Sequence, residues 1–497
     1  MGAPDAIRKL GLTGKLFIGG EWVDAASGET LPVIDPATGE SIGEVACAAA
    51  VDVDRSVAAA RAAAREWRRT APEARAQVLL RVADLIEKSA DQVAALESTD
   101  NGMPIGLAHL LSVSNVVSTF RYYAGWATKI NGITTQTNLP DVHAYTLREP
   151  YGVCGLIVPW NAPLAISSWK LAPCLAAGNT AILKPSEETT MTALFLGKLL
   201  EEAGVPPGVA NIIPGAHTAG SALASHPDVD AVSFTGSTET GRAIVRAALG
   251  NLKKVTLELG GKSPNVVFAD ADLDRAVPGS AMAIFLNSGQ VCVAGSRLYV
   301  QRRIYGEFIE KLAAFARQMY VGRLARTPAE LGPLISQRQL DRVAGMIGRS
   351  LEQGASLVCG GRRCGETGFF MEPTVLANVR SDMEIVRNEV FGPVVVATPF
   401  DEFDDLLAAC NDTSYGLGAS VWTRDLSTAH HFAREVKAGA VWINTHGVMD
   451  QHLPIGGYRQ SGWGRELGEA ALEGYTQVKS VIAQLDPSPA GSGTVSQ

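Results

Sequence analysis

The sequence has no long uninterrupted apolar run. Its least charged stretch, 151 to 183, carries only Lys170, but Pro159, Pro163 and Pro173 interrupt it, with Asn161 and Asn179. Each proline removes a backbone hydrogen bond that lipid cannot replace. The stretch therefore reads as strand, loop, helix and strand. The N-terminal MGAPDAIRKLGLTGKLFIGGEW lacks the continuous apolar core of a secretory signal, and Ala6 stands where a myristoylation signal wants Ser or Thr. Basic blocks are also missing. The net charge is -8 with both signs interspersed, which argues against nucleic acid or an anionic membrane as partner. Cysteines are few and odd in number: 47, 154, 174, 292, 359, 364 and 410. None forms C-x-x-C. Cys359 and Cys364 lie near each other in CGGRRC, but no His or Cys cluster completes a zinc site, so no metal is expected. A reducing cytoplasm is the expected compartment. Internal repeats and extended linkers are absent.

What is present is a globular composition, 46% hydrophobic and 19% charged, in 497 residues. That length implies two or three domains. Residues 14 to 50 read as short strands and turns, and 52 to 130 as Ala-rich amphipathic helices. TAPEAR reads as a helix start with Thr70 as N-cap, Pro72 in the first turn and Glu73 at the capping-box position. From 150 to 260, strands alternate with helices of 10 to 15 residues, and a second alternating set runs from 262 to about 435. This pattern predicts an α/β fold with a doubly wound parallel sheet that binds ligands at the carboxyl ends of its strands. The Pro/Gly/Ser-rich end, 486 to 497, reads as a mobile tail.

Five short stretches carry chemistry. FTGSTETG places Gly236, Ser237 and Gly241 where a strand meets a helix, an arrangement that suits a diphosphate but also an ordinary tight turn. AILKPSE puts Lys184 and Glu187 at another strand end, either as ribose ligands or as a surface charge pair. Glu187 would repel a 2′-phosphate, favouring NAD over NADP. In VTLELGGKSPN, Glu258 ends an apolar strand; desolvation would raise its pKa and suit it to general-base work, with capping or salt bridging as the alternative. Asn161 in VPWNAP is an oxyanion donor or a turn asparagine. Cys292 in GQVCVAG has small neighbours that leave room for a substrate. As a nucleophile it needs a thiol pKa lowered by a helix N-terminus or backbone donors; otherwise it is inert core.

Together VPWNAP, LKPSE, FTGSTETG, LELGGKSPN, GQVCVAGSR, NEVFGPV and PIGGYRQSGWGRELG resemble the NAD(P)-dependent aldehyde dehydrogenase superfamily in order and spacing, from LFIGGEWVDA to about residue 484. The resemblance implies a Rossmann-like doubly wound cofactor domain (1–129 and 150–260), interleaved with an α/β catalytic domain (261–460). It adds a small β oligomerisation arm (130–149 and 474–485), hence a homo-oligomer, dimer or tetramer. It implies that Cys292 attacks the aldehyde, with the oxyanion held by the Asn161 side chain and the Cys292 N–H. Hydride then passes to NAD, and Glu258 activates water to hydrolyse the thioester. Lys170 and Glu466 match a proton relay. Trp160, Lys184, Glu187, Gly215, Gly236, Ser237, Gly241, Leu259, Glu389 and Phe391 match cofactor positions. Ala162, Ile166, Trp169, Leu286, Val291, Met449 and Ile455 would line an apolar substrate tunnel.

The chain departs from the family pattern in PGAHTAG, one residue short, and in Ala162, Met449 and Ile455, where relatives often carry Phe. The tunnel residues point to a hydrophobic aldehyde: medium-to-long aliphatic, terpenoid or aryl. A semialdehyde is less supported, because 444–455 holds no arginine. A CoA-acylating enzyme is disfavoured by Glu258, and a non-catalytic ligand-binding relative by the presence of both Cys292 and Glu258. His446 and His452 are loop histidines or contacts to a polar substrate group.

Overall fold

Near-continuous apolar strands need cover on both faces, and the helices supply it. The computed structural model describes residues 15–322, 327 and 330–485, so the tail expected from 486 on lies outside the described residues. Its largest sheet has eight strands. Five of them, Val153–Ile157, Thr180–Lys184, Ala210–Ile212, Ala231–Thr235 and Lys254–Glu258, run parallel. Val153–Ile157 sits between Thr180–Lys184 and Ala231–Thr235, so strand order reverses there. A crevice opens outside the carboxyl ends at such a reversal. Leu16–Ile18 and Glu21–Val23 extend one edge antiparallel; Gly462–Trp463 extends the other.

The second sheet has seven strands in the order Ser356–Cys359, Thr374–Ala377, Val394–Phe400, Arg297–Gln301, Pro264–Val267, Gly418–Trp422, Ala440–Ile443. All but the first run parallel. Glu258 ends a strand of the first sheet and Pro264 begins one of the second, so only five residues carry the chain from the first sheet to the second at this crossing. Carboxyl ends of the first sheet thereby face amino ends of the second. A separate antiparallel sheet pairs Thr476–Gln484 with Val142–Pro150, which also pairs with Thr134–Thr135.

Helix Pro163–Ala176 is buried along its whole length. Its mostly apolar sequence suits a fully enclosed helix, Ser167, Ser168 and Lys170 finding hydrogen-bond partners inside, and it centres a core cluster that reaches from Phe17 to Tyr475. No helix among the described residues is long and apolar enough to cross a membrane. The helix start read in TAPEAR needs a correction. Ala71 is the N-cap of Pro72–Lys88, and no side chain caps it. Thr70 closes the preceding helix instead, its hydroxyl donating to the Glu66 carbonyl at 3.1 Å. The two helices abut so closely that the residue chosen for a start serves as an end.

In the second sheet, helix Leu273–Phe285 packs Gly279 against Trp422, whose indole N–H donates to Asn265 Oδ1 at 2.9 Å. A Cβ at 279 would collide with the ring. Gly279→Ala should therefore lower stability by about 1–3 kcal/mol, read as a fall in the urea midpoint with an unchanged slope.

Candidate active site

All five parallel strands of the first sheet deliver candidate residues from their carboxyl ends. Val153–Ile157 leads to Trp160 and Asn161, Thr180–Lys184 to Lys184 and Glu187, Ala210–Ile212 to Gly215, Ala231–Thr235 to Gly236 and Ser237, and Lys254–Glu258 to Glu258 and Leu259. Ser237 is the N-cap of helix Thr238–Ala247, its hydroxyl accepting from Thr240 N at 3.1 Å. Cβ atoms would crowd Phe234 at Gly236 (2.5 Å), Leu259 at Gly241 (2.7 Å) and Ala219 at Gly215 (2.8 Å). Backbone lies bare at each of these points, and the first-turn N–H groups of the helix face outward. That cradle fits a diphosphate. Lys184 is buried, 3.4 Å from Glu187, and burial lowers its pKa while Glu187 opposes the shift.

The second sheet supplies Glu389 and Phe391 from the loop before Val394–Phe400. Glu389 accepts from Gly261 N at 3.0 Å, and burial pushes its carboxyl up to about 7. Phe391 has φ of 58° and meets Trp160 edge-on at 5.1 Å. Gln339 holds that loop, its amide donating to the Phe391 carbonyl at 2.7 Å, and Arg342 donates to the Glu389 carbonyl at 2.7 Å. Neither Gln339 nor Arg342 was singled out in the sequence. They sit on a helix, Gln337–Glu352, whose pattern reads as an ordinary amphipathic face. Buried Lys262 was also missed; burial lowers it to about 7, with Arg297 adding to the shift and Glu389 opposing it.

Cys292 lies in a braced loop. Asn287, Ser288 and Gly289 have φ of 50°, 54° and 72°. Three successive left-handed residues are strained and need external ties. Ser288 donates to the Gly332 carbonyl at 2.7 Å, Gln290 Oε1 accepts from Ile335 N at 2.9 Å, and Asn287 donates to the Asn161 carbonyl at 2.9 Å. The Asn161 amide in turn donates to the Gln290 carbonyl at 2.9 Å. Asn161 is thereby fixed two residues from the thiol, with its second N–H left for another acceptor.

Glu258 has a pKa raised well above the carboxylate range, first by burial and then by the charge of Glu466; Lys170 and Arg465 pull it down. Its Oε1 has no hydrogen-bond partner among the described residues. Behind it, buried Lys170 contacts Glu466 and donates to Ser233 at 2.8 Å, while Thr235 donates to Glu466 at 3.2 Å. A lowered thiol pKa at Cys292 is not what the structure shows. Burial, then the charges of Glu389, Glu258 and Glu466, push it up to about 12, and the Val293 N–H only partly offsets them. The isolated site therefore holds a thiol, and attack requires proton removal.

Ile166, Trp169 and Ile455 are buried in one apolar cluster, and Ala162, Leu286, Val291, Met449 and Cys292 pack against it half-buried, together with Trp442. His446 does not face this space. Its ring bonds Ser420 Oγ and the Val293 carbonyl, each at 2.9 Å, and burial lowers its pKa to about 4. His452 is exposed, 2.6 Å from Asp450 and edge-on to Tyr122 at 4.8 Å.

In the cofactor-free protein, the rate of Cys292 alkylation by iodoacetamide should rise about tenfold per pH unit from 7 to 10, because thiolate stays a minority below the thiol pKa. A plateau near pH 8 would contradict the environment described.

The chain matches the aldehyde dehydrogenase family over residues 22–481. It is 46% identical over 476 residues to a mitochondrial aldehyde dehydrogenase of Homo sapiens, covering 95% of this chain and 92% of that one. It is 45% identical to retinal dehydrogenase 2 of Mus musculus, at 95% and 92% coverage. The NAD+ complex of an aldehyde dehydrogenase from Bacillus cereus superimposes with a TM-score of 0.95 at 44% identity, covering 97% of this chain and 99% of that one. The chain belongs to the aldehyde dehydrogenase family: it is an NAD-dependent oxidoreductase that acts on aldehydes.

Proposed function

We propose that the enzyme converts a hydrophobic aldehyde to the free carboxylic acid, with Cys292 as nucleophile and Glu258 as the base for hydrolysis. One observation carries the reading. A thiol, a fixed side-chain amide and an unpartnered carboxylate oxygen meet beside an apolar cluster. Covalent catalysis through Cys292 splits the oxidation into acylation and deacylation. When Cys292 Sγ bonds the aldehyde carbon, the oxygen that gains charge lies toward Asn161 Nδ2 and the Cys292 N–H. Such a donor is worth roughly 3 kcal/mol, because it acts only as charge develops. Bound NAD supplies the hydride acceptor. Lys184, Glu187, Gly236, Ser237 and Gly241 would hold its adenosine diphosphate half, with Gly215 and Leu259 alongside, and Glu389, Phe391 and Trp160 its nicotinamide half. Glu187 favours NAD, with NADP second.

Glu258 suits the hydrolytic half-reaction for the reason that makes it a poor anion. Burial lifts its proton affinity, so once ionised it takes a proton from water readily. Lys170 and Glu466 extend inward from it and offer a route for that proton. The apolar lining, with Ala162, Met449 and Ile455 in place of larger rings, supports the hydrophobic substrate. A relative named for retinal is in keeping with it.

A homo-oligomer is also proposed. The edge strand Thr476–Gln484 leaves Val478 and Ile482 60% and 66% exposed, a long apolar edge of the kind that another strand covers. The cytoplasmic location expected from the cysteines gains no support from relatives, since the human one is named as mitochondrial.

Three measurements test the function. Glu258→Gln should keep the first-turnover burst of NADH while steady-state turnover falls at least about 100-fold; an unchanged steady state removes Glu258 from the role. Cys292→Ala should abolish turnover and retain NAD binding. Across acetaldehyde, octanal, citral, benzaldehyde, phenylacetaldehyde and succinic semialdehyde, kcat/KM with NAD should favour the larger apolar aldehydes. Preference for the semialdehyde would overturn the account of the tunnel.

A further inference from the structure

One polar side chain in the wall of the proposed tunnel has hydrogen-bonding capacity that the protein does not use. The long helical segment 105–126 is interrupted by a π-helical turn, His109–Ser114, between Ile105–Ala108 and Asn115–Trp126. The Asn115 N–H reaches back to the Leu110 carbonyl, five residues earlier. Such wide turns cost stability and occur frequently at functional sites. The turn ends on Asn115, an uncommon residue for the middle of a helix.

Three contacts locate Asn115. Its Oδ1 accepts from Trp169 Nε1 at 2.8 Å. Its carbonyl accepts from Thr119 Oγ1 at 2.8 Å and from Gln451 Nε2 at 3.4 Å. It therefore sits between Trp169 and the loop that carries Met449 and Ile455, on the same apolar cluster that Cys292 packs against. An indole N–H only donates, so the amide oxygen must face Trp169. That leaves the two N–H donors of Asn115 Nδ2 pointing elsewhere, and neither has an acceptor among the described residues. Trp169 and Gln451 hold the side chain and backbone, so the donors are aimed before any ligand arrives.

We propose that Asn115 is a specificity-determining residue that selects aldehydes carrying an acceptor oxygen (hydroxyl, ether or ketone) remote from the reacting carbon. This rests on the reading that the cluster around Cys292 receives the aldehyde chain. Asn115 is half-buried beside the apolar cluster to which Trp169, Met449 and Ile455 belong, so a purely alkyl substrate lying there offers the donors no acceptor. An oxygen at the right distance along the chain satisfies them. Asn115 touches the chain beyond the aldehyde and takes no part in bond making.

The test compares straight-chain aldehydes with analogues in which one methylene is replaced by an ether oxygen, the position stepped along the chain. The readout is kcat/KM with NAD for each pair. The expected result is a preference for the ether of about tenfold at one position, the scale of one hydrogen bond. Asn115→Leu removes donor and acceptor, and Asn115→Asp keeps an acceptor for Trp169 without the donors. Both should bring that ratio to one or below, and the near-isosteric aspartate keeps the test open if the leucine variant does not fold. Ratios within twofold at every position in the unmodified enzyme, or a preference that survives Asn115→Asp, would overturn the proposal. Equal turnover of both series overturns the role of Asn115 alone. No turnover of either overturns the proposed function and this inference with it.

Discussion

The site depends on how closely the backbone joining the two sheets can pass Cys292. Between Glu258 and Pro264 the chain runs through Gly260 and Gly261. A Cβ at Gly261 would collide with the Cys292 carbonyl, and one at Gly260 with the Glu389 carboxylate. Any larger residue would push the sheets apart and separate Glu258 from Cys292. The same crowding recurs at Gly456, where a Cβ would lie 2.7 Å from Glu258 Oε1. Bare backbone on both sides is what lets the Glu258 carboxylate, the Cys292 thiol and the Glu389 carboxylate share one small volume.

That volume is electrostatically costly. Glu258, Glu389 and Glu466 all bear on Cys292, and burial weakens the screening between them. The protein meets the cost in two ways. Lys170, Lys262 and Arg465 place positive charge nearby, and Glu258 and Glu389 hold their protons more tightly than exposed carboxylates do. The result is a resting site with a protonated thiol. A thiol that is unreactive at rest is also less open to oxidation.

Strain is concentrated beside Cys292. The left-handed run from Asn287 to Gly289 is held by ties to Gly332, Ile335 and Asn161, which come from two separate parts of the chain. The tie between Asn161 and Gln290 runs the other way, so Asn161 and the Cys292 loop position each other. Hydrogen bonding at this one loop thus couples the first sheet to the second.

Periodicity and motif order in the sequence were enough to determine the alternation of strand and helix, the doubly wound sheet and the family. They also marked which strand ends carry Asn161, Lys184, Ser237 and Glu258. These are local properties: an apolar run, a turn residue and a charge at its end. Other features depend on residues far apart in the chain. Thr70 looked like a helix start because the cap pattern is local, while the abutting helices that made it an end are not. Cys292 read as a nucleophile only if a helix N-terminus or backbone donors lowered its pKa; the burial and the three carboxylates that raise it instead come from elsewhere in the chain. His446 could not be assigned until its partners, Ser420 and the Val293 carbonyl, were brought to it. Gln339, Arg342, Lys262 and Asn115 carry no motif of their own. Only tertiary structure decided their surroundings, because burial and charge at a point are set by everything packed around it, and a sequence lists only neighbours along the chain.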